Sequence, residues 1–374
     1  MDPHGPITRR FPLVARFRPA CLPLPARVRA LVELAARAAK QGEQGLASTV
    51  FNQTALVASD LGLPDLARSI CRRHAEVYLH ACSLPAMSAI RGLEPLVSLA
   101  RLQIRAGHAD DGRQRLLDLY EAVRVGGTVV VDGIAVPANL TATVEDRQEV
   151  RAWLWRVLLA DGTRSFTTTG RWDEALAHIQ SHRGVGTRML DGRQVAVLAA
   201  LTQGDTDQAA ELLANTVPGE PWEQAVTACL AVLCDHDASQ PIDDQVADLV
   251  GSYLDRKAEP GMTVFDIRLG LTVLDAVASA EHPAGCHLVE DLVRRATEAR
   301  DGYAAREILA HPLAAGLATG RQVQSCNDLV RACALGAGDL PDGLYGDLSA
   351  ALDSSHVVLT RTVTALQANG NSAR

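Results

Sequence analysis

The chain has 374 residues, of which 47% are hydrophobic, so it can bury a large interior, and global disorder is not expected. Aromatic residues make up 4%, and the chain relies on Ala and Leu, which favours helices over a strand-rich fold. The net charge of −8, from 44 acidic and 36 basic residues, argues against a general nucleic-acid-binding protein, because phosphate neutralisation needs a basic surface.

The cysteines and the N-terminal residues indicate a reduced, cytoplasmic protein. Eight cysteines are scattered without a Cys-x-x-Cys pair, as in chains that keep free thiols. No run of about 18 uncharged apolar residues occurs, so no transmembrane helix is expected. Thr8–Phe11 resembles a twin-arginine export signal, but Arg16 and Pro19 follow where an apolar stretch is required. Lysine occurs only at Lys40 and Lys257, which is typical of a high-GC genome; the alternative is selection of arginine for planar, bidentate anion recognition.

Residues 1–25 are rich in Pro and Arg and show no periodicity. We expect them to form a mobile arm, or an extended segment packed on the first helices. Regular helix is predicted to begin near Pro25 and Ala26, because Val28, Leu31 and Ala35 then follow at helical spacing.

An internal repeat follows, in which four segments share the pattern Gly-x-x-Asp-x-(Ala/Gly), starting at Gly62, Gly107, Gly170 and Gly204. Glycine can end a helix in the left-handed conformation without steric cost. The Asp three residues later lies at the start of the next helix, where its carboxylate can accept backbone N–H groups. The small residue two positions further lets the two helices pack closely. The pattern therefore predicts four helix pairs.

These segments resemble the tetratricopeptide repeat, which has Gly between its two helices and a small residue five positions later. The interval from Gly170 to Gly204 equals the family period of 34, whereas the other intervals are longer and irregular. The resemblance implies an all-α fold, an α-solenoid of antiparallel helix pairs over residues 26–235. It also implies a concave surface, lined by the first helix of each pair, that binds extended peptides.

Residues 128–137 interrupt the helical pattern, because two β-branched runs flank Asp132-Gly133, the dipeptide favoured in type I′ turns. We expect a β-hairpin inserted between repeats. It is either a loop without a function of its own or a flap over a groove that contacts a partner chain.

Residues 236–368 keep helical patterns without the repeat, for example over Thr263–Ala280, Cys286–Glu298 and Leu344–Leu366. We expect a C-terminal helical subdomain that continues or caps the array. Asp301-Gly302 resembles one more degenerate junction between paired helices. The tail, residues 369–374, is expected to be disordered.

Motifs for catalysis or cofactor binding are weak throughout. His282, Cys286 and His287 lie close in sequence, but Pro and Gly interrupt the helix between them, so no metal site is predicted. Cys71 follows no reactive-cysteine signature, and its place in a helix pair predicts burial. We expect no cofactor, and a binding protein rather than an enzyme.

A binding groove is the site that the tetratricopeptide resemblance implies. Counting back from each repeat glycine gives the groove-lining positions, which are polar or basic on otherwise apolar helices. They are Asn52, Ser59, Arg101, Arg105, Arg164, Thr168 and Gln194. Arginines in a groove suit a carboxylate, a phosphate or an acidic peptide. The alternative is ordinary solvation of an exposed face.

Three functions are consistent with these features. The first is a scaffold or adaptor that binds a protein or peptide which is acidic or has a free carboxylate. The second is a regulatory or sensor protein of the same fold. The third is an accessory or catalytic subunit of a peptide-modifying or natural-product biosynthetic complex in a high-GC bacterium. No membrane partner is expected, and a nucleic-acid partner is disfavoured by the charge.

Overall fold

The computed structural model describes Met1–Ser279 and residues 284–372, without the side chains of residues 278, 279 and 369–372. The described part is mainly helical, with one two-stranded sheet, which confirms the all-α expectation. None of its helices is both long enough and apolar enough to cross a bilayer.

The helices are, in chain order, α1 Leu24–Gln41, α2 Gln44–Asp60, α3 Pro64–Leu79, α4 Ala86–Arg105, α5 Ala109–Val125, α6 Val144–Val157, α7 Thr163–Thr167, α8 Trp172–Ser181, α9 Asp191–Gln203, α10 Thr206–Ala214, α11 Pro221–Asp237, α12 Asp243–Leu254, α13 Thr263–Ser279, α14 Gly285–Glu298, α15 Gly302–Leu309, α16 Pro312–Leu317, α17 Gly320–Ala332 and α18 Asp342–Ser372. A 3₁₀ turn spans Thr8–Arg10, and a π-helical turn, Leu158–Gly162, separates α6 from α7. The strands are β1 Val129–Val131 and β2 Ile134–Val136.

The chain divides into two compact units. The arm unit consists of Met1–Pro23 and Phe166–Cys333, and the hairpin unit consists of Leu24–Ser165 and Ala334–Arg374. The boundary predicted near residue 235 falls inside α11, within the arm unit, and does not coincide with this division. Each unit therefore combines two separate stretches of chain.

In the hairpin unit, successive helices α1 to α6 pack on one another, and α18 packs across α1, α2 and α3. Ala, Leu and Val side chains fill the core, with Phe51 and Tyr78 as its large aromatic members. A smaller apolar cluster joins Leu31 of α1 and Leu61 to Leu348 of α18. The loop before α18 is held by two backbone hydrogen bonds of 2.7 Å to the end of α2.

The four repeat glycines end helices as predicted. Gly62, Gly107, Gly170 and Gly204 have φ angles of 81°, 90°, 72° and 79°, all in the left-handed region. The small residues that follow are buried; they are Ala67, Gly112, Ala175 and Ala209. The repeat glycines therefore end helices, and the small residues that follow them allow close helix packing.

The repeat aspartates lie in the first turns of the second helices, as predicted, and two of them also pair with arginines. Asp65 and Asp110 lie in the first turns of α3 and α5, where a carboxylate meets the positive end of the helix dipole. Their side chains form ion pairs with arginines three residues on, at 2.7 and 3.2 Å. At the fourth junction the capping side chain is Asp205, whose Oδ1 accepts the Gln208 N–H at 3.0 Å.

The predicted β-hairpin is confirmed, with Val129 paired to Val136 and Val131 to Ile134. Asp132 and Gly133 have φ angles of 49° and 81°, as a type I′ turn requires. Asp132 also forms an ion pair of 2.5 Å with Arg115 on α5. Because the inward side chains of both strands join the hydrophobic core against α3 and α5, the hairpin is a packed part of its unit.

Residues 1–23 form an extended segment packed within the arm unit. Phe11 and Leu13 are buried, and the Trp172 indole N–H donates to the Pro3 carbonyl at 3.2 Å. The segment is extended and packs on residues 166–333 of the same unit. Regular helix begins at Leu24, next to the predicted start.

The C-terminal helices match the sequence patterns closely. α13 and α14 cover the predicted stretches, with Ala280 lying outside the described residues. Asp301 caps α15, because its carboxylate accepts the Tyr303 N–H at 2.9 Å. α18 extends to Ser372, so the predicted disordered tail does not begin at residue 369, and residues 373–374 lie outside the described part.

Candidate binding surface on the hairpin unit

One face of α2 and one face of α4 remain partly or fully exposed, whereas most residues between these positions are buried. The exposed positions recur at three- and four-residue intervals, which places each set on one side of its helix. We call this surface the α2–α4 face; it consists of Gly45, Thr49, Asn52, Leu56 and Ser59 on α2, and Arg91, Glu94, Ser98, Arg101 and Arg105 on α4.

Two side-chain hydrogen bonds connect the helices across this face. The Asn52 Nδ2 donates to the Glu94 Oε2 at 2.7 Å, and the Arg105 Nη1 donates to the Ser59 Oγ at 2.8 Å. The structure therefore brings Asn52, Ser59 and Arg105 together, as the groove prediction requires, and Arg101 lies one turn from Arg105.

Arg101 is bound to Asp161 of the π-helical turn, since its Nε and Nη2 both donate to the Asp161 Oδ2, at 2.9 and 2.7 Å. π-Helical turns occur mostly as single turns and frequently at functional sites. Here the turn supplies the carboxylate that fixes Arg101 on its helix. Sequence reasoning missed Asp161, because a local pattern does not show that a residue 60 positions later contacts Arg101.

Arg105 keeps most of its hydrogen-bonding capacity. Its guanidinium is exposed and donates to a neutral hydroxyl, and no carboxylate of the described residues lies within ion-pair distance of it. A guanidinium offers five N–H donors in a planar fork that matches a carboxylate. Arg105 is therefore suited to receive an anionic group.

Glu94 makes the α2–α4 face amphoteric. Burial raises the pKa of this carboxyl, and the Asn52 hydrogen bond and the charges of Arg91 and Arg101 act in the opposite direction. Sequence reasoning also missed Glu94, although its position seven residues before Arg101 puts it on the same side of α4. The face thus offers an acceptor as well as donors, which suits a peptide better than a simple anion.

The remaining predicted residues lie elsewhere. Arg164 belongs to the hairpin unit and Thr168 to the arm unit, and both are exposed. Gln194 belongs to the arm unit and is fully buried. The seven predicted positions therefore do not share a single surface within either unit.

Gln194 holds the N-terminal segment in place. Its Oε1 accepts the Leu13 N–H at 2.7 Å, and its Nε2 donates to the Leu13 carbonyl at 2.7 Å and to the Met189 carbonyl at 3.2 Å. One amide thus satisfies both backbone polar groups of a buried residue. The prediction that Gln194 lines an open groove is wrong, because the side chain has no accessible surface.

Replacing Gln194 with Leu should release the N-terminal segment. The substitution leaves the N–H and carbonyl of Leu13 buried without partners, which costs about 2 kcal/mol. Limited proteolysis should then cut the chain before residue 24 up to about thirtyfold faster than in the wild type. An unchanged cleavage rate would show that Gln194 does not anchor this segment.

The described residues offer no support for a cysteine nucleophile or a metal site. Burial raises the pKa of the Cys71 thiol to about 12, so this cysteine is not an activated nucleophile. No group of three or more His, Cys, Asp or Glu side chains could hold a metal ion in the described part of the chain. His282, from the sequence cluster near Cys286, lies outside that part.

The α2–α4 face is thus the strongest candidate site, on its geometry and its exposed arginine. No protein-family model matches the chain, and neither a curated protein nor a solved structure matches it.

Proposed function

We propose that the chain is a protein- or peptide-binding scaffold that holds an extended segment of its partner on the α2–α4 face. The observation behind this proposal is the exposed Arg105 guanidinium, whose hydrogen-bonding partner is a neutral hydroxyl. In this proposal Arg105 binds a carboxylate of the partner, which is either an acidic side chain or a free C-terminus.

The architecture supports this proposal. α2 and α4 are the helices that precede Gly62 and Gly107, so they correspond to first helices of consecutive pairs in the tetratricopeptide resemblance. In that family the first helices line the concave, peptide-binding surface. We extend the proposal to an α-solenoid arrangement of these pairs and to a cytoplasmic location.

Asn52 completes the binding chemistry. One N–H of its amide is bound to Glu94, which leaves the second N–H and the Oδ1 for a ligand. A peptide backbone presents one acceptor and one donor per residue, so a single asparagine can bind both. Asn52 then fixes the backbone, and Arg105 fixes the terminal or side-chain carboxylate.

Arg105→Ala is the variant that tests this function. The probe is an array of random-sequence decapeptides, each made with a free C-terminus and as the C-terminal amide. We expect the wild type to select peptides that carry a carboxylate, and Arg105→Ala to bind them about tenfold more weakly, which corresponds to about 1.4 kcal/mol. Fluorescence anisotropy of the selected peptides measures this difference.

Arg29→Ala is the matched control, because Arg29 is an exposed arginine on α1 of the same unit. It should bind the selected peptides as the wild type does. Equal affinities of Arg105→Ala and Arg29→Ala would show that the α2–α4 face is merely solvated. An array without any bound peptide would refute the scaffold proposal itself.

A further inference from the structure

A cavity lies in the hairpin unit, between α3 and α18, with a volume of about 350 Å³. It shares no residue with the α2–α4 face, so an inference from it does not depend on the proposed function. Its volume falls in the range of small-molecule sites, about 300–1,000 Å³.

The floor of this cavity is apolar. Val77 and Ala81 line it from α3 and the residues that follow, and Val363 lines it from α18. Ala81 and Val363 are almost fully buried, so they form a fixed part of the floor. A ligand would gain free energy by covering the accessible part of Val77 with an aliphatic group, above the floor that Ala81 and Val363 form.

Arg73 and Glu76 carry opposite charges and lie one helical turn apart on the α3 side of the cavity. Arg73 is held by Asp353 at 2.8 Å and by the ring of Phe51, whose centroid lies 5.7 Å from the guanidinium carbon. Arg73 is nevertheless partly exposed, and Glu76 is exposed. Within the described residues Glu76 has no cation at ion-pair distance, so its charge remains available to a ligand.

The α18 wall adds uncharged hydrogen-bonding groups. Burial and the neighbouring Arg73 lower the pKa of His356, so its imidazole is neutral at neutral pH. Its Nδ1 is buried without a hydrogen-bond partner among the described residues, while Thr360 and Thr364 are exposed. The α18 wall therefore adds no fixed charge to those of Arg73 and Glu76.

We infer that this cavity binds a free α-amino acid with an aliphatic side chain. The carboxylate of the amino acid contacts Arg73, its ammonium contacts Glu76, and its aliphatic side chain covers Val77. Side chains three residues apart on a helix have Cβ atoms about 5–6 Å apart, so they can reach both charges of a zwitterion.

Ligands with one charge fit less well. A carboxylate without an ammonium would approach Arg73 while leaving Glu76 as a nearby like charge. An amine without a carboxylate would bring a second cation next to Arg73. The C-terminal end of α3, where His80 lies, also favours the ammonium, because the helix dipole is negative there.

Calorimetric titration of the full chain with L-leucine tests the inference. The comparison ligands are 4-methylpentanoate, which lacks the ammonium, and 3-methylbutylamine, which lacks the carboxylate. We expect leucine to bind and each comparison ligand to bind at least about tenfold more weakly, since one charged contact contributes about 1.4 kcal/mol or more. No binding of leucine at millimolar concentration would overturn the inference, and so would equal binding of either comparison ligand.

Substitutions locate the site. Glu76→Gln should weaken leucine binding about tenfold without weakening 4-methylpentanoate, whereas Arg73→Gln should weaken both. Arg72→Gln and Glu33→Gln remove exposed charges outside the cavity and serve as controls. Because Glu76 is exposed, its variant folds even where Arg73→Gln does not. Unchanged leucine binding in Glu76→Gln would overturn the assignment.

Discussion

Gly112→Ala will destabilise the hairpin unit by about 3 kcal/mol or more. A Cβ at this position would lie 2.5 Å from the Ile104 Cγ1 and 2.6 Å from the Ala100 carbonyl oxygen. The carbonyl belongs to the backbone of α4, so it cannot turn aside as a side chain could. α5 would therefore have to move away from α4, and the packing between these two helices would be lost.

Gly346→Ala provides the control for this variant. Gly346 is exposed in α18, and a Cβ there meets no atom within 4 Å. Alanine should stabilise that helix by about 0.5–1 kcal/mol, because glycine loses more backbone freedom on folding. Native-state hydrogen exchange of the α4 and α5 amides measures both effects. Equal shifts in the two variants would refute close helix contact at Gly112.

Lowering the pH from 7 to 5 will remove about 2 kcal/mol from the unfolding free energy of the hairpin unit through His74. Burial lowers the pKa of this histidine to about 3, and both ring nitrogens are buried without partners among the described residues. Its ring stacks on Phe51, with 5.0 Å between centroids. The buried surroundings of His74 therefore stabilise the neutral imidazole relative to the charged form.

The sign follows from the two pKa values. In the unfolded chain the histidine titrates near its usual 6.5, so below that pH the unfolded state binds a proton that the folded state does not. Stability is complete above about 6.5, falls as the pH decreases, and stops falling near the folded-state pKa of about 3. Each pH unit within this window removes up to about 1.4 kcal/mol.

His74→Leu should abolish this dependence and raise stability at pH 7 by about 1–3 kcal/mol, because it removes buried polar atoms that lack partners. Hydrogen exchange of the α3 amides at pH 7 and pH 5, corrected for intrinsic rates, gives both quantities. His108→Asn alters an exposed histidine and should keep the wild-type pH dependence. If the stability of His74→Leu still fell between pH 7 and pH 5, protonation of another group would be responsible for the pH dependence.

Local features of the fold could be predicted from the sequence. The left-handed glycines and the Asp132-Gly133 turn depend on the conformational preferences of a few adjacent residues. Helix bounds in the C-terminal third follow from the spacing of apolar residues, which also needs no distant partner. Such features are encoded within a window of about one helix, and the structure has them where the patterns predicted them.

Contacts between helices that are far apart in the sequence could not be predicted from local patterns. The apolar residues of α18 predict a helix with a buried face, but nothing in them specifies α1 and α2 as the surfaces they cover. The same holds for Phe11 and Leu13, which are buried within the arm unit. The domain boundary was placed where the repeat pattern faded, near residue 235, because contacts between distant stretches cannot be read from a local pattern.

The candidate site was predicted in part. Counting back from Gly62 and Gly107 found Asn52, Ser59 and Arg105 because α2 and α4 each keep an exposed face. The same count failed for Gln194, since every residue of α9 from 192 to 201 is buried. A polar residue on such a helix binds other parts of the protein interior instead of a ligand.

The division of each unit between two stretches of chain determines how the protein emerges from the ribosome. Leu31 and Leu61 are synthesised long before Leu348, which covers them, because residues 166–333 are made in between. At about 5–20 residues per second, that apolar surface stays uncovered for roughly ten seconds or more. Neither unit can complete its fold during early translation, so the nascent chain presents binding sites for chaperones until α18 has left the ribosome.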